Sequence, residues 1–149
     1  MFSDAYDDVP VTTWDAGWQW STAEVSDYSI GDDTAKAYAA LNFVGIDFVA
    51  TTIDARAMTH FHMDVFAPAG TNFKVKIIVF SDDNGGLIDQ AELVFDATST
   101  PAFEAGGWSS LDIPLSDFGL SASLEHVGQL ALSTDDAELV LVDNVYWHR

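Results

Sequence analysis

Short stretches in which hydrophobic and polar residues alternate run through the whole chain. The alternation is clearest at residues 59–66, where Phe61, Met63 and Val65 are separated by polar side chains. Alternate residues of a β-strand point to opposite faces, so this period of two predicts strands with one buried face. Helical periodicity is weak, and only residues 53–58 and 115–120 suggest a short helical turn. The predicted strands cover residues 24–30, 37–43, 44–48 (with a break near Gly45), 59–66, 73–80, 91–95, 108–113, 127–132 and 138–148.

Residues that favour turns separate the predicted strands. Gly31, Asp32 and Asp33 follow the first strand, and the run Ser81-Asp82-Asp83-Asn84-Gly85-Gly86 follows residues 73–80. About nine or ten short strands joined by such turns are typical of an antiparallel β-sandwich. The sequence therefore predicts an all-β fold, a single-domain jelly roll over residues 1–149.

The charge of the chain restricts its partners. Twenty-four acidic residues, of which 19 are Asp, against five Lys and Arg give a formal net charge of −19. Nucleic-acid and anionic-membrane binding depend on basic side chains, so both are excluded. We interpret most of the charge as a solvated surface coat. The absence of Cys removes disulfides and thiolate sites.

The first residues match no signal peptide, and no stretch has the ~18 consecutive apolar residues of a membrane span. We therefore expect this chain to be one domain of a larger secreted or cell-surface protein. In that setting the domain is expected to be a monomer.

Three tryptophans fall within seven residues near the start, in a segment rich in Thr, Asp and Gly. The segment predicts a loop in which Trp14, Trp18 and Trp20 offer indole faces, with Gln19 as a hydrogen-bonding neighbour. Exposed indoles stack on the apolar faces of sugar rings. We expect at least one of the three, Trp18 first, to face solvent; the alternative is that two of them fold inward and plug one end of the sandwich. The other two, Trp108 and Trp147, are expected to pack in the core or at its rim.

His60, His62 and Asp64 are spaced so that they share one face of a strand. A His-x-His pair with a carboxylate is one arrangement for zinc or copper. The alternative, which we favour, is a structural or sugar-contacting polar face, with His60 and His62 among the carbohydrate-binding residues. The next strand carries Lys74 and Lys76, which predicts acid–base pairs between the two strands.

Calcium is the expected inorganic partner, because Ca²⁺ prefers carboxylate and carbonyl oxygens. Asp143 lies in an apolar run of the last strand, so its carboxylate is expected to be nearly buried and to need a partner. Asp4 meets that strand if the two ends of the chain lie side by side, and Asp64 is the third candidate ligand. The run 82–86 with Asp89 is a second possible site or a solvated hairpin tip.

No catalytic motif is present: the chain has no nucleophile elbow, phosphate-binding loop, dinucleotide fingerprint or HExxH sequence. With 24 carboxylates, close acidic pairs arise by chance. We therefore expect a protein that is not an enzyme.

Several segments together resemble non-catalytic carbohydrate-binding β-sandwich modules of the galactose-binding-like type, which are appended to exported bacterial, often marine, polysaccharide-degrading enzymes. The matching segments are residues 2–6, Trp18-Gln19, residues 41–48, 58–66 and 108–118, Gln129-Leu130 and residues 142–146. The resemblance implies a jelly roll with a structural calcium near the termini, with Asp143 as the ligand from the closing strand.

The resemblance also implies glycan binding without hydrolysis, and marine β-1,3-glucans such as laminarin are the first candidate, before agar-type galactans. The charge of −19 favours a neutral glycan over a sulfated or uronate one. Two alternatives are a structural or adhesive spacer of a surface protein and a small polysaccharide lyase or glycosidase.

Overall fold

The structure, a computed structural model, describes residues 9–149. Asp4 and the other residues before position 9 lie outside this range. The described residues form nine strands and three short 3-10 turns, at Val49–Thr51, Leu115–Phe118 and Leu124–His126. The strands are β1 Glu24–Ile30, β2 Asp33–Ala39, β3 Phe43–Asp47, β4 His60–Phe66, β5 Phe73–Phe80, β6 Leu87–Phe95, β7 Trp108–Pro114, β8 Val127–Ser133 and β9 Leu139–His148.

The nine strands form two antiparallel sheets packed as a sandwich. One has five strands in the order β1-β2-β9-β4-β7, and the other has four in the order β3-β8-β5-β6. Most neighbours within a sheet are distant in sequence, as in the pairing of β4 with β9. The all-β sandwich predicted from the alternating pattern is confirmed.

The core lies between the inner faces of the two sheets. Phe61, Met63 and Val65 of β4 are fully buried there and pack in one cluster with Val75 and Ile77 of β5. The alternate residues of β4 are only partly buried, so the period of two in the sequence separates the core face from the outer face. Burying one such side chain contributes about 1.5–3 kcal/mol.

The chain reverses between β2 and β3 at residues 40–42, not near Gly45 as the sequence suggested. Ala40 has a φ of 49°, in the left-handed region, and forms this turn. Gly45 instead lies in the middle of β3, paired with Ala131 of β8. The prediction was wrong because Gly45 is needed for close packing rather than for a turn.

One prediction about strand pairing is also corrected. Lys74 and Lys76 belong to the four-stranded sheet, so they do not pair with the histidine strand; they contact Asp135 (2.6 Å) and Glu92 (3.6 Å). The short turn predicted at residues 53–58 is present at its end, where the Met58 amide donates a hydrogen bond of 3.0 Å to the Ala55 carbonyl, while Ile53 forms an isolated β-bridge with Val127. Among the described residues, no helix has the length and apolar character that crossing a membrane requires.

Candidate functional site

Polar and aromatic side chains cover the outer face of the five-stranded sheet at β4, β7 and β9. Since Phe61, Met63 and Val65 point inward, the other residues of β4 point outward. In register, His62 lies between Asp112 of β7 and Tyr146 of β9. We call this surface the His–Asp face; it consists of His60, His62, Asp64, Phe66, Trp108, Asp112, Tyr146 and His148.

One carboxylate connects two histidines on this face. Asp112 Oδ1 accepts a hydrogen bond of 2.7 Å from His148 Nε2 and lies 3.3 Å from His62 Nδ1. The other ring nitrogen of His62 lies 3.3 Å from Asp64, which in turn accepts a hydrogen bond of 2.9 Å from the side-chain amide of Asn144. The contacts join three strands, so they hold the polar groups in fixed positions.

The hydrogen bond between Asp112 and His148 also changes their acidity. The hydrogen bond from His148 is the main cause that lowers the pKa of Asp112, and the same bond raises the pKa of His148. Both changes favour the charged pair. The face therefore carries a fixed imidazolium–carboxylate pair in weakly acidic solution.

Ring stacking orders the rest of the face. His60 stacks on His148 with ring centroids 5.2 Å apart, and His62 stacks on Tyr146 at 4.6 Å. At the far end, Trp108 packs against Phe66 at 5.7 Å and remains 46% exposed. Trp108 was expected in the core or at its rim, and this was wrong because it lies on the outward side of an edge strand.

A shallow depression lies beside Trp108. Its volume is about 150 Å³, and its walls include Asp64 and Asn144 as well as Asp33 and Ile30. An exposed aromatic ring bordering fixed polar groups is the usual composition of a small-molecule site.

The indole of Trp18 packs on the outer surface of β3. A Cβ added at Gly45 would lie 2.5 Å from two carbons of the Trp18 ring, so the ring occupies the space of the missing side chain. The neighbours of Gly45 in β3, Val44 and Ile46, are in the core. Gly45 and the indole above it therefore face outward from the four-stranded sheet.

Trp20, not Trp18, is the exposed tryptophan of this segment. Its side chain is 78% exposed, and its φ is 74°. The side chain of Asn42 donates a hydrogen bond of 2.8 Å to the Trp20 carbonyl and accepts one of 2.8 Å from the Thr22 amide. Ser21 Oγ donates a third, of 2.7 Å, to the Phe43 carbonyl. We call residues 17–22 the tryptophan corner.

Trp14 has a more structural position than Trp20. It is partly buried against the core, and Lys36 Nζ lies 5.2 Å from the centre of its ring. Its carbonyl accepts a hydrogen bond of 3.2 Å from the hydroxyl of the buried Tyr38. The loop predicted for this segment is confirmed, and Gln19 is exposed in it.

The predicted sugar-binding residues thus fall into two groups on two sheets. His60 and His62 lie on the outer face of the five-stranded sheet, whereas Trp18 packs on the outer surface of β3 in the four-stranded sheet, and Gln19 and Trp20 follow it in the same loop. The face also contains Trp108, Asp112, Tyr146 and His148, which the sequence did not lead us to assign to sugar binding. Asp112 and Tyr146 could have been found only from the register of β4 with β7 and β9.

The candidate calcium ligands are brought together in part. Asp64 and Asp143 lie opposite one another in the register of β4 and β9, and Asp143 is nearly buried, at 7% exposed, as expected. Asp4 lies outside the described residues. Within residues 9–149, no group of three or more His, Asp or Glu side chains is arranged to hold a metal ion. Both carboxylates accept hydrogen bonds from Asn144, Asp143 from its backbone amide at 2.7 Å and Asp64 from its side chain at 2.9 Å.

In the second predicted calcium loop, the carboxylates accept hydrogen bonds from other parts of the protein. Asp83 accepts hydrogen bonds from the backbone and hydroxyl of Thr52. Asp89 accepts bonds from the amides of Ser121 (2.7 Å) and Ala122 (2.9 Å). These contacts lower the pKa of both groups, and they tie loops together. They favour the hairpin-tip alternative.

The described strands adopt the β-sandwich fold found in carbohydrate-binding modules. The family 11 module from Clostridium thermocellum, solved with a β-1,3-1,4-mixed-linked tetrasaccharide, has a TM-score of 0.67 at 11% identity, covering 88% of this chain and 85% of that one. The family 30 module of the cellulosomal cellulase Cel9D-Cel44B of the same organism has a TM-score of 0.65 at 15% identity, covering 94% and 92%.

A module specific for non-crystalline cellulose, CBM28, has a TM-score of 0.57 at 13% identity, covering 84% of this chain and 80% of that chain. At such identities the likeness establishes the fold. No protein-family model matches the chain, and no curated protein matches its sequence.

Proposed function

We propose that this chain is a non-catalytic carbohydrate-binding module that holds a neutral β-glucan on its His–Asp face. The single observation that carries the proposal is the composition of that face. An exposed indole borders the side chains of Asp64 and Asn144, which are fixed by a hydrogen bond between β4 and β9. The shared fold with solved carbohydrate-binding modules supports the same conclusion.

The chemistry of the face suits a sugar ring. Trp108 offers an apolar surface on which a pyranose can stack. Asp112, half exposed, and His148 can exchange hydrogen bonds with hydroxyl groups without rearrangement, because their positions are already fixed. Such preorganisation lowers the entropy that binding costs.

The charge of the chain supports an uncharged ligand. Asp64 and Asp112 lie on the face itself, within a molecule of net charge −19, and both repel sulfate and uronate groups. We propose a β-1,3-glucan such as laminarin as the first ligand and agar-type galactans as the next. The mixed-linked β-1,3-1,4 tetrasaccharide bound by the family 11 module supports the β-glucan class.

We further propose that the domain is a monomer within a secreted or cell-surface protein that carries a catalytic or surface domain. The family 30 module, which belongs to a cellulase, supports such an attachment. Holding the polysaccharide beside an attached enzyme raises the effective concentration of its substrate, so no chemistry by this domain is needed.

Calcium is proposed as a structural ion, with Asp143, Asp64 and Asp4 as ligands. The support is the near-complete burial of Asp143, since a buried carboxylate is stabilised by a cation. The ion would supply positive charge beside the His–Asp face.

We also propose that Trp18, Gln19 and Trp20 contact glycan by stacking and hydrogen bonding. The 78% exposure of Trp20 supports this role. Trp14 is assigned to supporting the loop, because it packs against the core.

Affinity electrophoresis in gels that contain laminarin, mixed-linked β-glucan, agarose or alginate tests the proposal. We expect the chain to be retarded by a neutral glucan, and Trp108→Ala to lose most of the retardation, while Val94→Ala, an exposed residue of the other sheet, behaves as the parent. Retardation by none of the neutral glycans would favour the structural spacer instead. Retardation by alginate alone would contradict the neutral ligand.

A further inference from the structure

We infer that this chain binds two glycan chains at the same time, one on the His–Asp face and one at the tryptophan corner. The inference rests on the proposed function and adds an activity to it, because a bivalent domain bridges polysaccharide chains. The observation behind it is the separation of the two groups of sugar-binding chemistry.

The Trp18 indole and the histidines of β4 lie on opposite sides of the sandwich. Phe61 of β4 and Ile46 of β3 lie in the same core, one from each sheet. The outward side of β4 carries the histidines, and the outward side of β3 carries the Trp18 indole on Gly45. The outer faces of two packed sheets are on opposite sides of a sandwich, so one sugar ring cannot contact both the histidines and the Trp18 indole.

The tryptophan corner is rigidly built. Trp18 packs on Gly45, and the backbone of the turn is held to β3 through hydrogen bonds made by Asn42 and Ser21. Trp20 adopts a φ of 74°, in the left-handed region that is strained for a residue with a large side chain. A strained backbone that displays an exposed indole on a fixed turn is expected where that indole contacts a ligand.

The chemistry of the corner selects the same class of ligand as the His–Asp face. Residues 17–22 contain no ionisable side chain, although the chain has 24 acidic residues. The exposed indole of Trp20 and the exposed amide of Gln19 are accessible, while the hydroxyls of Ser21 and Thr22 donate hydrogen bonds to the carbonyls of Phe43 and Ala40. Aromatic faces with neutral hydrogen-bonding groups fit an uncharged sugar.

Binding two chains changes what the domain does to a polysaccharide. A single-site module only attaches its protein to the glycan. A module with two sites on opposite sides joins neighbouring chains, and the second contact gains from the effective concentration that the first one creates.

Equilibrium dialysis with laminarihexaose, a ligand too short to reach around the sandwich, tests the inference directly. We expect two hexasaccharides per parent chain and one for either Trp20→Ala or Trp108→Ala, each variant retaining the site on the other face. Both residues are exposed, so each variant serves as the matched control of the other. Light scattering with soluble laminarin should rise for the parent and stay at baseline for both variants.

Each other result has a defined meaning. One hexasaccharide per chain, lost in Trp108→Ala and kept in Trp20→Ala, overturns bivalence and leaves the proposed function intact. One hexasaccharide that is lost only in Trp20→Ala overturns bivalence and moves the site to the corner. Two bound hexasaccharides without any rise in scattering overturn bridging. No binding to any neutral glycan rejects the proposed function as well.

Discussion

The Trp18 ring lies where a side chain at position 45 would be. The Cβ of an alanine at Gly45 would approach two ring carbons of Trp18 to 2.5 Å, so Gly45→Ala has to displace the indole. We expect a loss of about 1–3 kcal/mol in the free energy of unfolding, together with a changed tryptophan fluorescence spectrum. Gly86→Ala is the control, since nothing lies within 4 Å of its added Cβ. Equal urea midpoints for the two variants would contradict the packing.

Trp20 can be replaced by a residue that accepts its backbone conformation. Asn tolerates positive φ better than Trp does, so Trp20→Asn should raise the free energy of unfolding by about 1 kcal/mol. Trp108→Asn replaces another exposed indole, one that lies on an extended strand without a positive φ, and should give no such gain. Chemical denaturation of both variants measures the difference. A destabilised Trp20→Asn would show that the indole makes stabilising contacts instead.

The pair of Asp112 and His148 makes stability depend on pH. The pKa of His148 is raised, so its protonated form stabilises the folded state. This stabilisation is complete below pH 6.5, the ordinary pKa of histidine, and is lost as the pH rises through the raised pKa. The lowered pKa of Asp112 stabilises the fold above its ordinary value of 3.8, and this contribution is lost as pH falls. The difference in free energy of unfolding between the parent and Asp112→Asn should therefore be largest between pH 3.8 and 6.5.

Urea midpoints measured across this pH range check that prediction. Glu104→Gln removes one exposed carboxylate elsewhere and controls for net charge. A difference between parent and Asp112→Asn that is constant with pH would rule out the charged hydrogen bond as its source.

Calcium should stabilise the chain if Asp143 is a ligand. At 100 times its dissociation constant, an ion that binds only the folded state adds about 2.7 kcal/mol. Millimolar Ca²⁺ should raise the Tm of the parent relative to a chelator, and Asp143→Asn should abolish that rise whatever its own Tm. Asp135→Asn, which loses a surface contact with Lys74, should keep it. A parent whose Tm is the same with Ca²⁺ and with chelator binds no stabilising calcium.

The fold could be predicted because the pattern that indicates each strand lies within that strand's own short stretch of sequence. Each strand reports its buried face through its own alternation, as β4 does with Phe61 and Met63. The site depends instead on pairings between distant strands. His62 meets Asp112 across 50 positions of the chain, and alternation within one strand carries no information on that register.

The role of a single residue can also be misjudged from the sequence. Gly45 was interpreted as a break, although its function is to make room for an indole. Trp108 was placed in or near the core because it is a large aromatic residue, although Leu111 and Ile113 are buried in the same strand and the alternation of that strand turns Trp108 outward. For Gly45 the deciding contact is with Trp18, in a different segment of the chain.

The side chain of Asn42 has a consequence for amide hydrogen exchange. Its Oδ1 accepts hydrogen bonds from the Thr22 and Phe43 amides, at 2.8 and 2.7 Å, while its Nδ2 holds the Trp20 carbonyl. Opening this one side chain releases both amides together. Thr22, in a surface turn, should therefore exchange at a rate set by the opening of the β3 end rather than by the exposure of its own loop.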